Sequence, residues 1–99
     1  MTKRDTKSIA SFKCKKTEQI FNRNSVPKFQ AIEKAALRKL DQISVSKDLN
    51  DLRTPPGNKL HPLSGDRKGQ HAIKINDQWR VCFTWEDDQA HGVEIIDYH

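Results

Sequence analysis

The first side chain that could carry chemistry is the imidazole of His61, within the segment LHPLSGD at residues 60–66. Pro62 has no backbone N–H and disfavours helical geometry at the residue before it, so we expect this segment at a sheet edge, beside open space. An imidazole with a pKa of about 6.5 can take up or release a proton near neutral pH. The alternative interpretation is an ordinary exposed histidine.

A second group stands at positions 97–99, where Asp97, Tyr98 and His99 follow one another. A carboxylate two residues from an imidazole can orient the ring and stabilise its protonated form. The ring of Tyr98 can stack on a nucleobase, and its phenol can hydrogen-bond a phosphate. The alternative is that Tyr98 is an aromatic residue at the edge of the core and His99 a disordered terminus.

The third candidate is Arg80, which lies between Trp79 and Val81 in the most apolar stretch of the chain. In a strand its side chain points away from both neighbours. A guanidinium on a sheet face requires a carboxylate or a phosphate partner. Asp97 or Glu94 could satisfy it without any substrate, so Arg80 is either a phosphate ligand or part of a structural ion pair.

The histidines do not form a metal-binding pattern. No ligand spacing relates His61, His71, His91 and His99. The sequence also lacks the motifs of P-loop nucleotide binding, dinucleotide binding and serine hydrolysis. We therefore expect no metal and no cofactor.

The composition indicates one small basic domain. The 99 residues are 34% hydrophobic and 31% charged, which is enough apolar material for one modest core. The net charge of +5 is concentrated in residues 1–50, which hold 12 basic and 5 acidic side chains. Such a charge favours a polyanionic partner without identifying it. Two cysteines without CxxC spacing, and no long apolar run, favour a soluble cytoplasmic protein that does not enter a membrane.

The elements that must position these groups follow from hydrophobic periodicity. One helix over residues 28–44 is predicted by apolar residues at spacings of three and four, which are Phe29, Ile32, Ala36, Leu40 and Ile43. Lys34 and Arg38 fall off this stripe and are expected to face solvent. A shorter helix is predicted over residues 15–22.

Alternating apolar residues predict strands over 71–75 and 79–85, joined at Asn76 and Asp77. A last strand is predicted over 93–98, separated from them by an acidic turn at residues 86–88 and by Gly92. For residues 8–12 a strand is favoured over a turn, and residues 45–58 are predicted to be a loop held by Leu49 and Leu52. The order indicates an α+β domain at residues 8–99 with helices packed on one antiparallel sheet. A flexible basic tail is predicted at residues 1–7.

The run KLHPLSGDRKGQHAIKINDQWRVCFTW at residues 59–85, followed by IIDYH at 95–99, resembles the HigB branch of the RelE/ParE superfamily of bacterial toxins. The resemblance covers residues 8–99. The combination of LHPL-x-GD, then N-x-x-W-R-V-x-F at residues 76–83, then DYH is specific in its order and spacing. Each piece alone would be weak evidence.

The resemblance implies a RelE-like α+β toxin, with two N-terminal helices packed on an antiparallel sheet of about four to five strands. Such toxins enter the A site of the ribosome, beside 16S rRNA, cut mRNA during translation without a metal ion, and are neutralised by a helix-turn-helix antitoxin. The implied catalytic residues are His61, Arg80, Asp97, Tyr98 and His99. Basic residues of the central helix, Lys34 and Arg38, could contact either ribosomal RNA or an acidic antitoxin surface.

Ser64 departs from the family pattern, because many relatives have a lysine there whose charge helps to neutralise the scissile phosphate. Arg80, Lys59, Arg67 or Lys68 could replace that charge. Ser64, Lys59, Arg67 and Lys68 are therefore the expected RNA-binding residues near His61. Two rival interpretations are a ParE-like toxin that acts on DNA gyrase without cutting RNA, and an RNA-binding module that cleaves nothing.

Overall fold

A four-stranded antiparallel sheet is formed by the second half of the chain in a computed structural model, which describes residues 8–97. Its strands follow chain order across the sheet and are β1 (His61–Pro62), β2 (His71–Lys74), β3 (Trp79–Glu86) and β4 (Gln89–Asp97). This confirms an α+β fold with an antiparallel sheet. The two-residue strand β1 lies at the sheet edge, as predicted from Pro62, which cannot donate a ladder hydrogen bond.

The hairpin between β3 and β4 corrects the predicted start of the last strand. Asp87 and Asp88 both have positive φ, 52° and 61°, the geometry of a tight two-residue turn, so β4 begins at Gln89 and not at Val93. Gly92, with φ of 61°, lies inside β4 where the pairing register shifts between Cys82 and Thr84. A left-handed glycine allows this bulge, so it bends the strand without ending it.

Two α-helices precede the sheet in the chain, α1 (Lys15–Phe21) and α2 (Glu33–Val45). The predicted single helix over 28–44 is wrong in one respect, because Pro27–Ile32 is a 3₁₀ helix and Ile32, with φ of −116° and ψ of 6°, separates it from α2. A spacing of three between Phe29 and Ile32 suits a 3₁₀ helix as well as an α-helix, so the pattern could not distinguish them. The predicted apolar stripe is nevertheless buried throughout.

The segment that follows α2 contains two more 3₁₀ helices, Leu49–Arg53 and Pro56–Asn58, where a loop was predicted. Asp48 caps the first of them, since its side chain accepts a hydrogen bond from the backbone N–H of Asn50 at 2.9 Å. Leu52 is buried and Leu49 packs against the core, so the predicted anchors of this segment are confirmed.

The predicted strand at residues 8–12 is replaced by two isolated parallel bridges to β4, Ile9 with Ala90 and Phe12 with Val93. The bulge at Gly92 lies between the two points of contact, so a continuous ladder does not form. The predicted tail at residues 1–7 lies outside the described residues, and the extent of the domain stays a prediction.

The core lies between the helices and one face of the sheet. Phe83, Val81 and Ile73 of the sheet share one cluster of buried side chains with Leu40 of α2 and Phe21 of α1. Helix α2 contacts the inner strand β3, and α1 contacts the edge strand β4. The opposite face of the sheet is therefore not covered by α1 or α2. No helix within residues 8–97 combines the length and apolar character needed to cross a membrane.

Candidate active site on the open face of the sheet

Strand register places His61 and Arg80 on the sheet face opposite the helices. One cross-strand row on that face consists of His61, Ala72, Cys82 and Glu94, and the next consists of Lys74, Arg80 and Ile96. Directly paired residues of antiparallel strands project from the same face. The two predicted catalytic residues that the chain separates by 19 positions thus share one surface, which we call the open face.

A pocket of about 410 Å³ lies over this face, with lining residues from β1 and from β4. It is lined by His61, Pro62, Leu63, Ser64, Arg67 and Ile96. The structure therefore brings together three residues that the sequence analysis named, the imidazole of His61, the hydroxyl of Ser64 and the guanidinium of Arg67. Pro62 and Leu63 accompany His61 by chain proximity, whereas Ile96 reaches the pocket only through the pairing of β3 with β4.

The His61 side chain is half-buried, and its Nδ1 lies 2.8 Å from the backbone carbonyl oxygen of Lys59. A carbonyl oxygen only accepts hydrogen bonds, so Nδ1 must carry a proton. In the neutral ring the lone pair then belongs to Nε2. This hydrogen bond gives the imidazole one defined tautomer, with Nε2 able to accept a proton.

Arg67 ends the short 3₁₀ helix Gly65–Arg67 and is held by two acceptors. Its Nη1 donates to Glu94 Oε2 at 3.2 Å and to Gln70 Oε1 at 3.2 Å. Glu94, whose side chain is 14% exposed, also lies 3.5 Å from Nζ of Lys13. The Arg67 side chain remains 35% exposed at the pocket, so the ion pair orients the guanidinium while leaving it accessible.

Arg80 is half-buried on the open face, directly across from Ile96 of β4 and Lys74 of β2. Asp97, one of the two acids expected near Arg80, is instead paired with Trp79, which puts it on the other face of the sheet by strand alternation. Its Oδ2 accepts a hydrogen bond from Gln78 Nε2 at 3.2 Å. Glu94, the other expected acid, does share the open face.

The remaining predicted residues lie apart from the pocket or outside the description. Lys59 and Lys68 are exposed neighbours of the pocket that do not line it, and Lys34 and Arg38 are exposed on α2, in the helical layer. Tyr98 and His99 lie outside the described residues.

Two residues that position side chains of the site were missed by sequence reasoning. Glu94 was considered only as a partner of Arg80, yet it anchors Arg67. Asn58, inside a segment predicted to be a loop, is completely buried beneath the turn that leads into β1. A buried asparagine requires hydrogen-bond partners, but its burial could not be read from a polar, proline-rich stretch.

Burial shifts the titration of two side chains near the site. The pKa of His71 on β2 is lowered by burial first, and then by the positive charges of His61 and Arg53. Burial raises the pKa of the Cys82 thiol on β3 to about 11. Within residues 8–97 there is no cluster of three or more His, Cys, Asp or Glu side chains that could hold a metal ion.

Comparison with known proteins identifies the family. Residues 10–99 match the family described as the RelE-like toxin of the type II toxin–antitoxin system HigB. Toxin HigB-1 of Vibrio cholerae is 42% identical over 60 residues, which are 61% of this chain and 63% of that protein. Endoribonuclease HigB of Proteus vulgaris is 42% identical over 41 residues, 41% of this chain and 45% of that one. An uncharacterised protein of Haemophilus influenzae is 37% identical over 60 residues, 61% of this chain and 59% of the relative.

The matches to these three relatives span about three-fifths of the first and third and less than half of the second. A solved structure, the YoeB-YefM complex from Staphylococcus aureus, contains a chain with the same fold. It superposes with a TM-score of 0.54 at 16% identity, covering 92% of this chain and 97% of the other. Since the family match extends over nearly all of the sequence, this chain belongs to the HigB-like family of RelE-like toxins of type II toxin–antitoxin systems.

Proposed function

We propose that this protein is a ribosome-dependent endoribonuclease, the toxin of a type II toxin–antitoxin module, which cleaves translated mRNA in the A site and is neutralised by a helix-turn-helix antitoxin. The family match supports the toxin, and the relative named Endoribonuclease HigB from Proteus vulgaris supports RNA cleavage. A target on the ribosome implies action in the cytoplasm.

The observation that carries this proposal is the pocket that joins His61 and Arg67 on the open face. Cleavage of RNA without a metal requires a base that removes the 2′-OH proton and an acid that protonates the leaving 5′-oxygen. The 2′-oxygen bonds to phosphorus as the bond to the 5′-oxygen breaks, leaving a cyclic phosphate. Cations near the phosphate stabilise the charge of the transition state.

In this mechanism His61 acts as the base. Its Nδ1 proton is engaged by the carbonyl of Lys59, so the lone pair of the neutral ring is on Nε2, which can accept the 2′-OH proton. His99 then supplies the proton for the leaving oxygen, and Tyr98 positions the nucleotide by stacking. Asp97 lies on the sheet face opposite His61 and so orients the imidazole of His99 in this mechanism. Arg80 binds the phosphate from the same sheet face as His61.

Arg67 supplies the charge that a lysine at position 64 would otherwise provide. It lines the pocket with Ser64, whereas Lys59 and Lys68 do not. Glu94 and Gln70 hold its Nη1 and so reduce the freedom that a long side chain must lose on binding phosphate. Lys59 and Lys68 remain near enough along the chain to contact flanking RNA.

The exposed cations of α2, Lys34 and Arg38, contact ribosomal RNA in this proposal. They project from the helical layer, on the opposite side of the sheet from the pocket. Binding to ribosomal RNA through this side leaves the open face directed at mRNA. Such contacts with phosphates weaken as salt is raised.

The test is cleavage of mRNA by the purified protein on translating ribosomes, with the 5′ ends of the products mapped. His61→Ala should reduce the cleavage rate by about 10²- to 10⁴-fold, the usual contribution of a general base. His91→Ala is the matched control, because His91 lies on β4 by the β3–β4 turn and does not line the pocket. Both variants are first checked for the native circular dichroism spectrum.

Equal cleavage by the two folded variants would contradict the role of His61. Intact mRNA together with poisoned DNA gyrase would identify a ParE-like activity instead. RNA binding that falls with salt, without any cleavage on ribosomes, would identify a binding module. The antitoxin is tested separately, by co-purification with the product of the neighbouring reading frame.

A further inference from the structure

We propose that Asn58 is a positioning residue that holds the proton of His61 on Nδ1, acting through the backbone carbonyl of Lys59. The consequence of this for catalysis rests on the proposed function. The effect on the His61 tautomer does not, and it can be measured on the free protein.

The carbonyl that contacts His61 is aimed by an unusual backbone conformation. Lys59 follows the 3₁₀ helix Pro56–Asn58 in the left-handed region, with φ of 48° and ψ of 48°. A residue with a Cβ atom rarely adopts this backbone conformation unless its surroundings impose it. In this conformation the backbone carbonyl oxygen of Lys59 points toward His61 and lies 2.8 Å from its Nδ1.

Asn58 fastens this turn to helix α2. Its side chain is completely buried, and its Nδ2 donates to Gln42 Oε1 at 2.9 Å and to the backbone oxygen of Leu52 at 3.1 Å. Its Oδ1 accepts from Nζ of Lys39. Gln42 and Lys39 both belong to α2, so the amide of Asn58 ties the turn before β1 to the core helix.

Both hydrogen-bonding groups of the Asn58 amide are used, and the residues of most similar shape, aspartate and leucine, do not match this arrangement. Aspartate at this position could accept from Lys39 but could not donate to Gln42 or Leu52. Leucine has a similar shape but makes none of these bonds. Asn58 is therefore suited to hold the turn in one geometry, and through it the Lys59 carbonyl.

The link to chemistry is the choice of tautomer. Without a fixed acceptor at Nδ1, either ring nitrogen of His61 can hold the proton of the neutral imidazole. Only the form with the proton on Nδ1 presents a lone pair on Nε2. The Asn58 contacts thus determine what fraction of the protein has His61 ready to act as the base.

The experiment compares Asn58→Leu with wild type by the ¹⁵N chemical shifts of the His61 ring, at a pH where the ring is neutral. Wild type should show a pyrrole-type Nδ1 and a pyridine-type Nε2. In Asn58→Leu both shifts should move toward each other, because the tautomers mix. Lys59→Gly is the matched control for this measurement, since glycine adopts the left-handed conformation readily and keeps the carbonyl.

On translating ribosomes, Asn58→Leu should lower kcat by about two- to fivefold, in proportion to the fraction of His61 that no longer holds its proton on Nδ1. KM should change little, because the pocket residues stay in place. Ile43→Val, buried in α2 outside this network, controls for a general loss of stability. Gln42→Ala, which removes one anchor from a half-exposed position, should shift the tautomers in the same direction by less and serves if Asn58→Leu does not fold.

Wild-type shifts in a folded Asn58→Leu or Gln42→Ala protein would overturn the proposal. A shifted tautomer in a protein whose wild type cleaves no mRNA would support the positioning role and refute the nuclease. Normal tautomers together with active wild type and active Asn58→Leu would refute the positioning role alone.

Discussion

Replacing Arg67 by alanine should lower ribosome-dependent cleavage, and placing lysine at position 64 should restore it. A hydrogen bond between a charged group and its partner contributes about 1.5–3 kcal/mol, which corresponds to roughly 10- to 150-fold in rate. The Arg67 side chain is 35% exposed, so solvent weakens its field and we expect the lower end, a loss of about tenfold. Ser64 lines the same pocket, so a lysine there can reach the same phosphate.

The assay is a double-mutant cycle of Arg67→Ala, Ser64→Lys and the double variant, read as single-turnover cleavage of mRNA on stalled ribosomes. The double variant should recover most of the lost activity, with a coupling energy of about 1 kcal/mol. Arg67→Ala should cost little stability, because Glu94 keeps Lys13 as a partner at 3.5 Å and a partly exposed ion pair contributes only about 0–1 kcal/mol. Melting temperatures of all four proteins check this. Strictly additive effects, or full activity in Arg67→Ala, would refute the proposal that Arg67 supplies the charge that a lysine at position 64 would provide.

Three further predictions concern stability and reactivity. Phe83→Ala should reduce the free energy of unfolding by about 3–5 kcal/mol in urea titrations, since its side chain is fully buried, whereas Val45→Ala, at a position 67% exposed, should change it by less than about 0.5 kcal/mol; similar losses in both would contradict the assigned core. Cys14 should react with a thiol reagent before Cys82. Burial acts to raise the pKa of Cys14, but hydrogen bonds from Thr17 and from the backbone lower it on balance, whereas burial raises the pKa of Cys82 to about 11. Mass spectrometry of partly labelled protein identifies the labelled cysteine, and labelling of Cys82 first would show the predicted order to be wrong. The pKa of His71 is lowered by burial, so below about pH 6.5 the unfolded chain binds a proton that the folded protein does not. The free energy of unfolding should therefore fall as the pH decreases from 6.5 toward the pKa of the folded state. His71→Gln should flatten this dependence in urea midpoints measured across that range, and an unchanged slope would exclude His71 as its cause.

Local patterns were sufficient for much of the fold. The alternation around Trp79 and Phe83 identified the central strand, because a sheet with one buried face requires a period of two. The apolar stripe that includes Ala36 and Leu40 identified the buried helix face. Pro62 indicated a sheet edge, because a strand residue without an N–H is tolerated where no ladder hydrogen bond is needed from it.

Other features required information that no local pattern contains. The change from 3₁₀ helix to α2 at Ile32 was missed, since a spacing of three fits both helices. The acidic turn at Asp87 and Asp88 was predicted, but the early start of β4 was missed, because Gly92 was interpreted as a break whereas it forms a bulge inside the strand. Asn58 was missed, since its partners on α2 are distant in the sequence.

By itself, the sequence determined the fold class and the edge position of His61, because these depend on residue types at short spacings, and its combined motifs carried the resemblance to the family. Only the tertiary structure decided which cation accompanies His61. Lys59, Arg67 and Lys68 all lie within eight positions of His61 along the chain, yet Arg67 alone among them lines the pocket. The reason is physical: the turn at Gly65–Arg67 and the pairing of β4 with β3 bring Arg67 to Glu94, and that contact is a property of register and not of spacing.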